Sequence, residues 1–145
     1  MAGKAKKMGW ILSVLVLTGA AVVYFVWNKP HQDVASASSI QVTAAALYQA
    51  FIKDSAAANF QYIDKVVEVS GTVKTVSVNQ QQQKVVSLQT GTDDAAINCT
   101  IEQKDAVLKE GAAIKIKGIC SGLGEGDADL GIMGDVYLIR CYIAE

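Results

Sequence analysis

An uncharged apolar stretch near the N-terminus, Gly9 to Trp27, constrains the fold of this chain more than any other feature. As a helix, its 19 residues would span about 28 Å, which is close to the thickness of the hydrocarbon core of a bilayer. Lysines precede the stretch, and tryptophans stand near its ends, where aromatic rings prefer the lipid headgroups. We therefore expect a single transmembrane helix over residues 9–28. The residues expected to anchor it are Lys6, Lys7, Trp10 and Trp27.

The residues on either side of this stretch predict that it is not cleaved off as a signal peptide. They also predict which end faces the cytoplasm. A signal peptide has a shorter apolar core and a cleavage site of small residues, whereas this stretch ends in the bulky run Tyr24 to Trp27. The more positive flank of a span faces the cytoplasm, and here that flank is the N-terminal one. We expect residues 1–8 in the cytoplasm, a tether over residues 29–42, and a periplasmic domain over residues 43–145. The localisation expected is the inner membrane.

The charge of the part beyond the anchor argues against nucleic acid as a partner. Four of the 13 basic residues precede residue 30, whereas all 14 acidic residues follow it, so residues 30–145 carry a formal charge of −5. A surface that neutralises phosphates needs the opposite sign. The partners expected are the bilayer and another envelope protein.

The sequence does not contain a recognisable catalytic or cofactor motif. His31 is the single histidine and lies in the predicted tether, so no nucleophile–base pair is expected. No C-x-x-C is present, which disfavours a zinc site, and no glycine-rich loop opens a helix for phosphate. We expect a protein that is not an enzyme and holds no cofactor.

Beyond the tether, the pattern first predicts a helical cap over residues 43–63. Thr43 is a suitable N-cap for a helix over residues 44–53, and Asp54 for a second helix over residues 55–62. The residues of the second helical segment expected to face the core are Ala56, Phe60 and Ile63.

From Lys65 onward the hydrophobic period changes from helical to two, which predicts strands. The pattern gives five strands, with a short helix over residues 102–109 between the third and the fourth. Five strands with a helix at this position are the connectivity of the OB-fold, a small Greek-key barrel. We predict a mainly β fold: an OB barrel over residues 65–144, the helical cap, and the preceding transmembrane helix. The strands are expected near 66–76, 84–90, 95–101, 113–120 and 136–143.

Several segments together resemble a known family. They are N-K-P-H-x-D-V at 28–34, A-x-x-L-x-x-A-F ending at Phe51, Y-I-D-K-V-V-E-V-S-G-T-V at 62–73, N-C-T at 98–100, L-K-E-G-x-x-I-x-I-K-G-I-C-x-G at 108–122 and the final L-I-R-C. With these motifs the chain resembles the tRNA_anti-like family, OB-fold lipoproteins and membrane-anchored envelope proteins mostly from Bacteroidetes. The resemblance implies the fold and the envelope location, and it supplies no catalytic or binding residues. Unlike the lipoprotein members, this chain has no acceptor cysteine, which favours a helical anchor.

The glycine-rich acidic stretch over residues 124–135 contains most of the candidate site residues. Its carboxylates are possible oxygen ligands for calcium, although the spacing lacks the glycine and the final glutamate of a calcium loop; the alternative is a solvated turn. Apolar residues in such a loop either pack against the barrel or meet a partner. The candidate metal ligands are Glu125, Asp127, Asp129 and Asp135. The candidate interaction surface is Ile132 and Met133, with Arg140 and Tyr142 on the last strand.

Three cysteines are predicted to point inward, each on a different strand. In an OB barrel the fifth strand lies between the third and the fourth, so Cys141 would neighbour both Cys99 and Cys120. If the domain is exported, we expect one disulfide, Cys120–Cys141, with Cys99 as the alternative partner of Cys141. The other interpretation is three buried thiols that act as small hydrophobic residues.

Two functional hypotheses follow from the sequence. The first is a membrane-anchored periplasmic module that binds another protein within an envelope complex. The second is a receptor for a small ligand or calcium that uses the barrel mouth and residues 124–135. Nucleic-acid binding is the weakest possibility because the outward positions of the second and third strands carry no aromatic ring. Those positions are Ser87, Gln89, Asn98 and Thr100.

Overall fold

The computed structural model describes residues 17–24, 33–127 and 129–144, and the chain divides into two units, residues 1–33 and residues 34–145. Residues 17–24 are helical and exposed. Within the described ranges, no helix is both long and apolar enough to cross a bilayer. The rest of the predicted span, residues 9–16 and 25–28, lies outside the described residues. So do the proposed anchors Lys6, Lys7, Trp10 and Trp27.

The second unit contains the predicted five-stranded barrel, with two helices and one additional strand. The barrel strands follow the order β2-β3-β4-β6-β5 and close through pairing of β5 with β2. The β4–β6 pair is parallel, and the other pairs within the barrel are antiparallel. The elements are β1 (Ile40–Thr43), α1 (Ala44–Lys53), α2 (Ser55–Tyr62), β2 (Val66–Val78), β3 (Lys84–Gln89), β4 (Ala96–Ile101), β5 (Ala113–Leu123) and β6 (Val136–Ala144).

Both predicted helix caps are confirmed. The Thr43 side chain accepts a hydrogen bond from the Ala46 amide at 3.1 Å, and Asp54 Oδ1 accepts one from the Ala57 amide at 3.0 Å. These contacts satisfy amides that have no partner within the first helical turn. The side chains that α1 buries are those of Ala44, Leu47, Tyr48 and Phe51.

The predicted core face of α2 is wrong. Phe60 is 87% exposed and Ala56 is also exposed, whereas Ala58 and Tyr62 are buried. Residues four apart share a helix face, so burying Ala58 and Tyr62 turns Phe60 outward. The ring of Phe60 packs under the Lys65 ammonium, with the nitrogen 5.5 Å from the ring centroid. Ile63, half-buried, lies beyond the helix and forms a bridge with Cys120.

The tether prediction over residues 29–42 is also corrected within residues 33–42. Val34 is buried, and Ile40–Thr43 forms β1, which pairs in parallel with Val67–Ser70 of β2. Because β5 occupies the other edge of β2 at these positions, β1 lies end to end with β3 along one edge. The four-residue strand was not predicted because its alternation is too short to distinguish it from a polar linker.

The short helix predicted over residues 102–109 is absent, and the segment is irregular. Its backbone carbonyls are bound from outside, since Lys84 Nζ donates to the carbonyls of Lys104 and Ala106, both at 2.8 Å. Only Ala106 and Leu108 are half-buried, and Val107 is 85% exposed. A helix of eight residues needs a packed face, and this segment offers little apolar surface to bury.

One bulge in β6 decides which of its side chains enter the barrel. Val136 and Leu138 point inward, and the register then shifts so that Cys141 is also buried. The additional residue is Arg140, which has a positive φ of 51°. Opposite the bulge, a Cβ on Gly118 would lie 2.5 Å from the Cys141 sulfur, so a larger residue there would displace the Cys141 side chain.

Candidate functional site

The glycine-rich stretch predicted as a solvated turn is a two-stranded ribbon in the structure. The Gly124 amide donates to the Asp135 carbonyl at 2.7 Å, which closes the base of the ribbon. Nearer the tip, Asp127 and Ile132 exchange backbone hydrogen bonds of 2.9 and 2.8 Å. We call residues 124–135 the acidic ribbon. Its hydrogen bonds give a projection with a defined shape.

Glycines let the two strands of the acidic ribbon approach closely. A Cβ on Gly134 would overlap the carbonyl oxygen of Gly124, and a Cβ on Gly126 would overlap that of Ile132. Gly131, at the turn, has a positive φ of 68°. The glycine content therefore reflects close backbone packing and a tight turn.

Asp135 connects the base of the acidic ribbon to the barrel wall. Its Oδ1 accepts a hydrogen bond from the Ala96 amide at 2.8 Å, and its Oδ2 accepts one from Asn98 Nδ2 at 2.8 Å. The Ser87 hydroxyl donates in turn to Asn98 Oδ1 at 2.6 Å. Because the carboxylate is a charged acceptor, these bonds are stronger than neutral ones. The chain of contacts holds the ribbon against β3 and β4.

This network uses polar residues that sequence reasoning assigned to the outward ligand face. Ser87 and Asn98 are committed to holding Asp135, which leaves Gln89 exposed and Thr100 half-buried on that face. None of these side chains is a ring on which a base could stack. The face of β3 and β4 therefore supports the ribbon and offers little for a nucleic-acid strand.

The four candidate calcium ligands are not brought together. Asp127 Oδ1 accepts hydrogen bonds from the amides of Asp129 and Leu130 at 3.0 and 3.2 Å, so it stabilises the turn. Asp135 is bound at the ribbon base, and Glu125 is exposed. Across the described part of the chain, no three His, Cys, Asp or Glu side chains form a group that could hold a metal. The cation hypothesis gains no support from this arrangement.

The tip and flank of the acidic ribbon expose apolar side chains. Leu130 is 72% exposed and Ile132 is 53% exposed, and Met133 is exposed beside them. Tyr137, just beyond the ribbon on β6, is also exposed. Exposure of Ile132 and Met133 agrees with their predicted place on a surface. Leu130 was missed because the sequence alone does not show whether an apolar residue in a loop is buried.

Arg140 and Tyr142 do not belong to the ribbon surface. β6 pairs with β5 so that Val136 opposes Leu123 at the ribbon end, whereas Tyr142 opposes Lys117. Six residues of strand separate these two positions, which is roughly 20 Å. Arg140 is exposed at the bulge and Tyr142 is half-buried. The predicted interaction surface is therefore split between the ribbon, which carries Ile132 and Met133, and the far part of β6, which carries Arg140 and Tyr142.

Tyr48 contributes an unusual buried hydroxyl. Its side chain is 1% exposed, and its oxygen has no hydrogen-bond partner among the described residues. Burial raises the pKa of the Tyr48 hydroxyl, and the negative charge of Asp135 raises it further. The pKa of the Tyr48 hydroxyl on α1 is therefore influenced by the same Asp135 carboxylate that holds the ribbon.

The three cysteines are fully buried free thiols, as the inward prediction requires. Burial raises the pKa of the Cys141 thiol well above its ordinary value, and the neighbouring Cys99 raises it further. Burial likewise raises the pKa of the Cys120 thiol. Raised pKa values keep the sulfurs of Cys120 and Cys141 protonated and poorly nucleophilic at neutral pH. The Cys120–Cys141 disulfide stays a prediction.

A closed five-stranded barrel with a parallel β4–β6 pair and a projecting connection before its last strand defines an OB-fold domain. The sequence profile of the tRNA_anti-like family matches residues 1–129. The chain therefore belongs to the tRNA_anti-like family, as the sequence motifs predicted.

A solved structure supports the same fold. A protein from Klebsiella pneumoniae, named as a candidate nucleic acid-binding lipoprotein, is 18% identical with a TM-score of 0.55 over 81% of this chain and 100% of its own. A candidate aspartyl-tRNA synthetase from Leishmania major is 11% identical with a TM-score of 0.45, and the match covers 86% of this chain and 25% of the synthetase chain. At 18% identity, the likeness to the Klebsiella protein concerns the fold alone. No curated protein sequence matches the chain.

Proposed function

We propose that this protein is a membrane-anchored OB-fold module that binds another envelope protein through the acidic ribbon. The observation that carries the proposal is a preformed projection with an apolar tip. Leu130 and Ile132 stand on a ribbon whose backbone is internally hydrogen-bonded and whose base is held by Asp135. A preorganised surface loses less conformational entropy on binding, so more of the contact energy appears as affinity.

The composition of the ribbon favours a protein partner over nucleic acid. Exposed apolar side chains adjoin the carboxylates of Glu125, Asp127 and Asp129, and the ribbon contains no lysine or arginine. Phosphates would be repelled here, while a partner with apolar and basic side chains would complement both features. The nucleic-acid binding in the name of the Klebsiella relative is therefore not our proposal for this chain.

Binding rather than catalysis is the role that we propose. The three cysteine thiols, the strongest potential nucleophiles of the described residues, are buried, and raised pKa values keep those of Cys120 and Cys141 protonated. The single histidine, His31, lies outside the described residues. The burial of these thiols favours binding over catalysis.

The location that we propose is the periplasmic face of the inner membrane. The support is the uncharged run of residues 9–27 and the lysines that precede it, which favour a cytoplasmic N-terminus. Protease added to spheroplasts should remove the barrel and leave the lysine-rich end intact. Loss of the N-terminal end with survival of the barrel would contradict this orientation.

Site-specific photocrosslinking in intact membranes tests the binding surface. A photoreactive residue in place of Ile132 should give one discrete crosslinked species, and Asp135→Ala in the same chain should weaken it because the ribbon loses its support. The matched control places the same residue at Val107, which is 85% exposed on an irregular segment. Equal crosslinking from Val107, or monomer alone from Ile132, would contradict the proposal.

A calcium titration tests the alternative receptor function. Because Asp127 and Asp135 already accept protein hydrogen bonds, we expect millimolar calcium to leave the melting temperature unchanged. A ligand that binds only the folded state raises it. A saturable increase that is lost in Asp129→Asn would restore the cation receptor as the function.

A further inference from the structure

A groove crosses three barrel strands at a distance from the acidic ribbon. Its volume is about 590 Å³, which is within the range of small-molecule sites. We call it the Lys115 groove, lined by residues 70–72 of β2, 113–115 of β5 and 143–144 of β6. The groove adjoins Ala113, whereas the ribbon follows Leu123 at the other end of β5, so ten residues of strand, roughly 30 Å, separate them.

Backbone pairing fixes the lining of the Lys115 groove. Lys115 is paired with Ser70 of β2 on one side and with Ala144 of β6 on the other. Near the end of β6, the Ile143 amide donates a hydrogen bond to Gln103 Oε1 at 2.9 Å. The three strands therefore hold the lining in place before a ligand arrives, which lowers the entropic cost of binding.

Most of the groove wall is aliphatic. Ile114 and Ile143 line the groove and are half-buried, and Ala113 and Ala144 add methyl groups. No aromatic ring is present among the described residues that form the lining. A ligand that covers this wall removes apolar surface from water, whereas a flat aromatic ligand finds no ring to stack on. The wall therefore favours an aliphatic chain.

The polar groups of the groove favour a negatively charged head group. Lys115 is exposed, Ser70 opposes it directly, and Thr72 lies on the same face two residues further along β2. An ammonium only donates hydrogen bonds, and both hydroxyls can donate as well. None of the described lining residues is acidic, and Glu68, an acid on the same face of β2, opposes Lys117 instead of Lys115.

We propose that the Lys115 groove binds a fatty acid. The alkyl chain lies along Ile114 and Ile143, and the carboxylate accepts a charge-assisted hydrogen bond from the Lys115 ammonium. The groove shares no residue with the face of β3 and β4, or with the two loops, at which OB-folds bind oligonucleotides and oligosaccharides. The site is also separate from the ribbon, so it holds or fails whatever the ribbon binds.

Calorimetric titration of the full chain, held in an amphipathic polymer without added lipid, tests the site. The probe is decanoate far below its micelle concentration, with the heat of the polymer alone subtracted. We expect saturable binding, and Lys115→Met should lower the affinity about fivefold, because it removes an exposed charge and keeps an unbranched stem. Decanol has the same chain without the carboxylate, so it should bind Lys115→Met and the unchanged chain equally.

A second variant tests the position of the alkyl chain. Ala113 is exposed in the groove, so the ring of Ala113→Phe should occupy the space of the chain without disturbing the core. We expect the affinity for both decanoate and decanol to fall about tenfold or more. Unchanged affinity for both probes would overturn the proposal, because the chain would then lie elsewhere.

The matched control is Lys53→Met, which removes an exposed lysine at the end of α1 and outside the groove. It should bind decanoate as the unchanged chain does. Absence of saturable heat with the unchanged chain, or an equal loss in Lys53→Met, would overturn the proposal. Equal affinity of the unchanged chain for decanoate and decanol would also overturn it, because the groove would then recognise no carboxylate.

One further variant tests the sign of the charge that the groove prefers. Glu145 follows Ala144 in the sequence and lies outside the described residues. Because a second carboxylate repels the head group, Glu145→Gln should bind decanoate as tightly as the unchanged chain or more tightly. Weaker binding of decanoate by Glu145→Gln would contradict an anionic ligand.

Discussion

The acidic ribbon and the hairpin tip are both exposed connections between barrel strands, yet they are held in different ways. The tip over residues 79–83 is held by Asn79, which bonds to residues two and four positions along the chain. The ribbon is held by Asp135, which bonds to the Ala96 amide 39 positions away. The tip presents neutral amides, whereas the ribbon presents apolar side chains beside carboxylates.

This difference shows how two loops can have defined shapes with different dependence on the rest of the fold. The tip is a local turn in which an asparagine side chain replaces missing backbone partners. The ribbon keeps its place only when β3 and β4 are assembled, since the residues that hold Asp135 come from these two strands. A substitution that removes the contacts of the tip should therefore affect only the tip. A substitution that removes the contacts at the ribbon base should lower the stability of the barrel.

The largest effect is expected from Gly134→Ala. The new Cβ would overlap the Gly124 carbonyl, so the ribbon strands must separate, at a cost of about 2–3 kcal/mol in the free energy of unfolding. Urea denaturation of the full chain in nanodiscs measures this. Gly131→Ala is the control, because its Cβ meets no neighbour and only the positive φ costs energy, about 1 kcal/mol. Equal losses would mean that close packing does not hold the ribbon.

Asp135→Ala should follow, with a loss of about 2 kcal/mol in the free energy of unfolding, because the buried Ala96 amide loses a charged acceptor. The same denaturation experiment gives the value. Asp129→Ala, an exposed acidic residue of the same ribbon, should change it by less than about 0.5 kcal/mol. If both variants behave alike, the ribbon is not connected to the barrel through Asp135.

Asn79→Ala should cost about 1 kcal/mol, because it removes neutral hydrogen bonds from a solvated turn. Hydrogen exchange should accelerate at the amides of Gln81 and Gln83 and remain unchanged at those of Asp127 and Ile132. Faster exchange in the ribbon would show that the two connections are coupled, which would end the contrast between local and long-range support.

The smallest effect is expected from Tyr48→Phe. The Tyr48 hydroxyl has no hydrogen-bond partner among the described residues, so its removal should change the free energy of unfolding by less than about 0.5 kcal/mol. Thermal unfolding of the full chain is sufficient to detect the difference. A loss above about 1 kcal/mol would mean that the hydroxyl is bonded in solution and extends the ribbon's support into α1.

The fold was predictable from the sequence where local chemistry specifies it. Thr43 and Asp54 cap helices through residues three positions away, and the alternation of buried and exposed residues assigned Cys99, Cys120 and Cys141 to the barrel interior. The family motifs pointed to the same barrel. These signals involve residues close together in the chain, so they can be recognised without knowing which elements pack against each other.

Predictions that needed a partner element were less successful. The segment over residues 102–109 has a helical pattern, but Lys84 binds its carbonyls and the barrel leaves it little apolar surface to cover. Phe60 was wrongly assigned to the core. The rotation of α2 about its axis depends on the element it packs against, and the sequence does not show that element. The ribbon was interpreted as a solvated turn because the sequence does not show that Gly124 and Gly134 approach each other closely.

The sequence by itself determined the barrel strands, the helix caps, the inward cysteines and the negative charge, because each depends on residues close together in the chain or on composition alone. Only the tertiary structure decided that β1 joins the sheet, that Asp135 fixes the ribbon base to β4, and that Lys84 binds the carbonyls of Lys104 and Ala106. These features arise from hydrogen bonds between residues far apart in sequence, whose pairing exists only once the barrel has closed.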